Sequence, residues 1–109
     1  MELKSGNILI RPMLALQDKG VVVDGHTHNF DHTTYCVRGS FLIEKLDEDD
    51  KVVKSMTVTA GNWVLIVAGV KHRLTSLEAG TIGHCIYSHR DPQTTDVVQE
   101  WNGWEKAYV

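Results

Sequence analysis

The stretch GVVVDGHTHNFDHTTYCVRG, residues Gly20 to Gly39, decides how this chain reads. It begins with three β-branched residues, Val21, Val22 and Val23, which favour an extended strand. Asp24-Gly25 then gives a turn or bulge signal. His26, His28 and His32 follow within seven residues. Side chains alternate across a strand, so His26 and His28 at i and i+2 share a face. That pair alone is a weak signal. His32 comes after a bend through Asn29, Phe30 and Asp31, so it can open the neighbouring strand and face the same interior. With His32 inward, alternation sets Thr34, Cys36 and Arg38 on its side and Tyr35 and Val37 on the other. A fourth histidine, His72, ends the later stretch GNWVLIVAGVKH, Gly61 to His72.

Neutral imidazole is a good ligand for Zn, Cu, Ni, Fe and Mn ions. Each histidine also carries ring nitrogens that need partners when buried, so four of them meeting in one interior are hard to explain as packing. The expectation is one divalent transition metal ion, Fe, Mn, Ni, Cu or Zn, bound by His26, His28, His32 and His72. The plain alternative is that some of these rings only pack or hydrogen-bond. A closed four-ligand zinc that serves stability alone is a further alternative. Thr34, Cys36 and His84 are the candidate pocket residues. For Cys36 the competing reading is a small buried hydrophobe; for His84 it is ordinary packing.

The rest of the chain reads as short strands separated by glycine-rich turns. Asn7 to Met13 suits a strand, with Pro12 marking an edge or break. Leu14 to Gly20 has no clean period and reads as a loop. Thr33 to Arg38, the turn Arg38-Gly39-Ser40 and Phe41 to Leu46 read together as a hairpin. Asp47 to Lys51 is a charged, solvated turn, followed by a strand from Val52 to Thr59. Trp63 to Val67, Lys71 to Leu77 and Thr81 to Ser88 complete the strand set. Val64 and Ile66 alternate with Trp63 and Leu65; an outward Trp63 would favour a subunit interface. Beyond His89 the chain changes character. WNGW, Trp101 to Trp104, suits a turn that pins two aromatic rings on a surface, with a short helix near Trp104 to Tyr108. Strands at roughly 8–12-residue spacing with turn glycines predict an all-β barrel or sandwich.

Composition agrees with a soluble globular chain and bounds the function. The 109 residues suit a single domain, and 42% apolar with 23% charged content argues against disorder. A net charge of −3 supplies no electrostatic drive toward nucleic acid or an anionic membrane. No apolar run is long enough to span a bilayer, and MELKSGNILIRP lacks the apolar segment of a signal peptide. Two cysteines, Cys36 and Cys85, make no disulfide framework, which fits a reducing, cytoplasmic location.

The two histidine stretches resemble the cupin superfamily. Its first motif is G(X)5HXH(X)3,4E(X)6G, and this chain has Gly20, His26, His28, His32 in the glutamate position and Gly39 at that spacing. The second is G(X)5PXG(X)2H(X)3N, matched by Gly61, Val67 in the proline position, Gly69, His72 and Ser76 in the asparagine position. The resemblance implies an all-β, cupin-type jelly-roll barrel of one domain over residues 1–109. Its first motif would lie at 20–39, its second at 61–76, with a C-terminal extension at 90–109. It also implies a metal in the barrel and a homodimer. His32 in place of glutamate turns a three-histidine, one-carboxylate set into four histidines. An ion held by four neutral imidazoles keeps its full double charge, so it attracts an anionic or oxygen-rich ligand more strongly.

The functional expectation is a metal-dependent oxidoreductase, dioxygenase-like, acting on a small oxygen-rich molecule. The alternatives are a non-catalytic, metal-dependent module for a carboxylate or sugar, and a cupin-type isomerase. The isomerase is weakened because no paired acid and base stands out.

Overall fold

The structure is a computed structural model and describes residues 2–13, 17–26 and 30–88, with backbone alone at 24–26. Among these residues nine strands form: β1 (Leu3–Ser5), β2 (Ile8–Met13), β3 (Val22–His26), β4 (His32–Arg38), β5 (Ser40–Leu46), β6 (Val52–Thr59), β7 (Trp63–Ile66), β8 (His72–Ser76) and β9 (Ile82–Ser88). They divide into a five-stranded sheet, in the order β1-β2-β9-β4-β7, and a four-stranded sheet, in the order β3-β8-β5-β6. Every pairing is antiparallel. No helix among the described residues is long and apolar enough to cross a membrane. The all-β jelly-roll expectation is met.

Period-2 burial shows how the sheets face each other. In β4, His32, Thr34 and Cys36 are buried while Thr33 and Tyr35 are half-buried. In β8, His72, Leu74 and Ser76 are buried and alternate with Arg73 and Thr75. The inward sets meet as one core: Cys36, Phe41, Ile43, Val58, Ile66 and Leu74, with Met13, Val23, Val64 and Val70 packed against it. Phe41 and Leu74 are essentially inaccessible. Burying a side chain of that size stabilises by about 2 kcal/mol before entropy is counted. In β7 the expected division holds: Ile66 is buried and Val64 half-buried, while Trp63 is 62% and Leu65 60% exposed.

One connection differs from the sequence reading. Arg38-Gly39-Ser40 predicts a hairpin, but β4 and β5 do not pair. β4 bonds to β7 and β9 in one sheet, and β5 bonds to β6 and β8 in the other. Gly39, at φ 78°, carries the chain from sheet to sheet. A glycine turn reports a left-handed residue and a change of direction, not the strand that will be met next. β5 instead forms a hairpin with β6. Its charged turn is the solvated loop expected: the Asp47 carboxylate accepts from the Asp49 and Lys51 N–H groups, each at 2.9 Å. β1 was not expected either. Its three residues are all exposed and carry no apolar alternation to read.

The expectations for the 90–109 extension, its WNGW turn and its helix near Trp104 to Tyr108 lie outside the described residues.

Candidate metal-binding site

His72 is placed by the turn that precedes it. The Val70 N–H donates to the Val67 carbonyl at 3.1 Å, and Gly69 sits at φ 81°, closing the turn. The Ala68 N–H donates to the Asp31 carboxylate at 2.7 Å. That bond ties the turn before β8 to the residue just ahead of β4. The two stretches that carry the histidines are therefore fastened to each other directly. His72 is 2% exposed, and its Nδ1 lies 2.9 Å from the Val70 carbonyl. A carbonyl only accepts, so Nδ1 carries the proton and Nε2 carries the lone pair. This is the tautomer of a metal-ligating histidine whose Nδ1–H is held by backbone.

His32 comes from the opposite sheet. It is 4% exposed, and its ring centroid is 5.5 Å from that of His72 at an interplanar angle of 50°. Metal–nitrogen bonds of about 2.1 Å put the centroids of two imidazoles sharing one ion roughly 5 Å apart, so the observed separation fits shared ligation. Phe30 meets His32 edge-on at 6.3 Å and stacks on Tyr87 at 4.9 Å. These rings wall one side of the histidine pair.

His26 ends β3. Its Cα is the register partner of His72, reached after a shift between Val23 and His26. That shift is a bulge at Asp24-Gly25, where the sequence signals one. His28 lies outside the described residues. Among the described residues no three His, Cys, Asp or Glu side chains gather as an ion-binding group, so His32 and His72 are the described part of the candidate set.

The three candidate pocket residues separate. Thr34 is fully buried on the face of His32, with its Oγ1 3.9 Å from the Cys85 Sγ. Cys36 belongs to the apolar core, and its thiol points at the Gly39 carbonyl at 3.4 Å. It is the small buried hydrophobe of the alternative reading, not a pocket group. His84 is corrected outright. It pairs with Tyr35 on one side and Pro12 on the other, on the reverse face from Thr34. Alternation divided β9 into two faces but did not say which was interior; Cys85 holds the inward position opposite Thr34.

Burial pushes the thiols of both Cys36 and Cys85 up, against smaller opposing effects from hydrogen bonds. Both are therefore thiols at neutral pH, which disfavours them as metal ligands or nucleophiles. Tyr87 is likewise raised, first by burial.

Next to His72 a cleft of about 320 Å³ opens between β6 and β7. Its walls are mainly apolar, with Ile43, Met56, Ile66 and Val70 among them, and Lys45 and Lys54 stand at its rim. The sequence reading missed these lysines, although their inward positions on β5 and β6 follow from the same alternation that places Ile43 and Val58. It also missed Asp31, whose position just before His32 was read only as a connection.

Comparison with known proteins supports the fold. No protein-family model and no curated protein matches the sequence. Among solved structures, the chain is similar to oxalate decarboxylase of Bacillus subtilis, a protein described with Mn(II) centres. The TM-score is 0.65 at 21% identity, over 87% of this chain and 24% of that one. It is also similar to protein NMB1881 of Neisseria meningitidis, with TM-score 0.62 and 22% identity over 79% of each chain. A third similar structure is the SPY1581 protein of Streptococcus pyogenes, of unknown function. Its TM-score is 0.58 at 18% identity, over 82% of this chain and 68% of that one. The chain thus spans about a quarter of the length of the oxalate decarboxylase it matches. At this identity the likeness establishes the fold, the cupin-type jelly roll.

Proposed function

We propose that this chain is a metal-dependent cupin. One divalent transition metal ion, Fe, Mn, Ni, Cu or Zn, would be held by His26, His28, His32 and His72. A single observation carries the reading: two buried imidazoles from opposite sheets face each other at 5.5 Å, one of them fixed by Val70 in the tautomer that ligates. The backbone register supports the set, because it brings His26 level with His72. When bound, such an ion supplies a Lewis-acid and redox centre. The chain's own contributions are those of its side chains. Asp31 holds the turn that presents His72. Phe30 and Tyr87 shield one side of the pair, and Thr34 and Cys85 form the uncharged wall below it.

The activity we infer is oxidoreductase chemistry of the dioxygenase type on a small oxygen-rich molecule, in a cytoplasmic homodimer. The exposed apolar side chains Trp63, Leu65 and Val37 on the outer face of the five-stranded sheet suit a second copy. A second reading, ligand binding without turnover, is favoured by one observation: among the described residues no carboxylate lines the cleft beside His72 to serve as acid or base.

Elemental analysis of the purified chain tests the metal. About one equivalent of a transition metal is expected. His32→Ala and His72→Ala should each lose most of it, and His84→Ala, on the outer face, should keep it. A protein that retains no ion after reconstitution, or equal losses in all three variants, would overturn the reading. Oxygen uptake by the loaded protein across diketones, catechols and thiols then separates the two readings, since binding alone predicts none.

A further inference from the structure

Lys45 and Lys54 are register partners on β5 and β6, and Lys45 is at the same time the partner of His72 on β8. One row therefore crosses the four-stranded sheet from Lys54 to Lys45 to His72. Partners in register share a face, and all three line the cleft between β6 and β7.

Two like charges directly opposite each other destabilise a sheet unless something of opposite charge lies between them. Two neighbouring cations are neutralised. Lys71 is paired with Asp50, and Arg73 with Glu44 at 3.1 Å. Among the described residues no carboxylate comes within ion-pairing distance of Lys45 or Lys54, and none lines the cleft. An anion bound between them would relieve that repulsion. Yet the cleft is not built for a bare inorganic anion. Beyond the lysines, His72 and Ser55, its lining is aliphatic or thioether: Ile43, Met56, Val64, Ile66, Val67 and Val70 contribute most of it. Apolar walls with a few convergent polar groups are the usual form of a small-molecule site, and about 320 Å³ sits at the small end of that range.

We propose that this cleft binds an amphiphilic carboxylate, a short acyl chain or a single-ring acid. Its apolar body lies between β6 and β7, and its carboxylate lies between the ammonium groups of Lys45 and Lys54. The assignment does not depend on the metal reading. It comes from two lysines that are not candidate ligands, although His72 stands at the end of the same row.

Titration of the full chain with octanoate, octanol, octylammonium and inorganic sulfate, followed by calorimetry, tests it. Octanoate should bind at least tenfold more tightly than the other three. The double variant Lys45→Met, Lys54→Met should lose that preference while its octanol affinity and metal content stay unchanged. Lys45→Arg, Lys54→Arg should retain the preference. Both lysines are exposed, so neither variant opens the core. Equal affinity for octanoate and octylammonium would overturn the proposal, and so would sulfate binding as tightly as octanoate. Octanoate binding that survives the Met variant but disappears after chelator treatment would also overturn it, since the metal would then be the anchor. A protein without bound metal that still shows the lysine-dependent preference would support the cleft and count against the metal reading alone.

Discussion

The two ends of the barrel interior use polar groups in opposite ways. At the end where the chain crosses between sheets, they are consumed internally. The Thr81 hydroxyl, fully buried, donates to the Glu78 carbonyl at 2.7 Å and accepts from the Ser40 N–H at 3.3 Å. The Ser76 hydroxyl donates to the same carbonyl at 3.0 Å, and the Ser40 hydroxyl to the Glu78 carboxylate at 2.9 Å. At the other end, His32 and His72 face each other, and Lys45 and Lys54 stand over a cleft that no acid among the described residues lines. Groups that satisfy one another close a barrel; groups able to bind an ion or a ligand mark where it works. Ser76 illustrates the point. It falls at the last position of the second motif, but its hydroxyl belongs to the closed end.

The sharpest way to break the closed end is Gly39→Ala. A Cβ there would lie 2.4 Å from the Thr81 Oγ1 and 2.8 Å from its Cα, at φ 78°. A loss of about 3 kcal/mol is expected in denaturant unfolding. Gly20→Ala, at φ 82° but in open space, should cost only about 1 kcal/mol. Comparable losses would show that backbone strain alone, not the close approach of Thr81, sets the requirement. Thr81→Val is the next largest effect. It keeps the shape but leaves the buried Ser40 N–H with one bond fewer, for a loss of about 2 kcal/mol with metal content unchanged.

A smaller effect comes from alkaline pH. Cys36, Cys85 and Tyr87 all hold their protons more tightly in the folded chain, first because burial disfavours their charged forms. The folded state therefore keeps protons that the unfolded state gives up. Their contribution to stability is fully present below about 9, the ordinary value for both thiols, and is lost as pH rises through the folded values. The melting temperature should be flat from neutrality to that point and fall above it. Cys36→Ala, Cys85→Ser should flatten most of the decline; an unchanged decline would trace it to other groups.

Much of this was legible in the sequence, for physical reasons. Runs of strand-forming residues between turn signals located eight of the nine described strands, and the histidine spacing located both stretches that meet. The crossing at Gly39 was not legible, because strand partnership is a long-range choice and turn residues report only local geometry. The face of His84 was hidden for a related reason: alternation yields two sets, and only the sheet opposite decides which is interior. The lysine pair was missed because Lys45 and Lys54 lie nine positions apart and become neighbours only through the β5–β6 register.

The bulge in β3 has a chemical consequence of its own. Between Val23 and His26 the strand advances three residues while β8 retreats two, from Leu74 to His72. Were the ladder regular, Gly25 would stand level with His72, and that site would offer a hydrogen atom in place of an imidazole. One supernumerary residue in the backbone thus determines whether His72 has a glycine or a histidine as its register partner on β3.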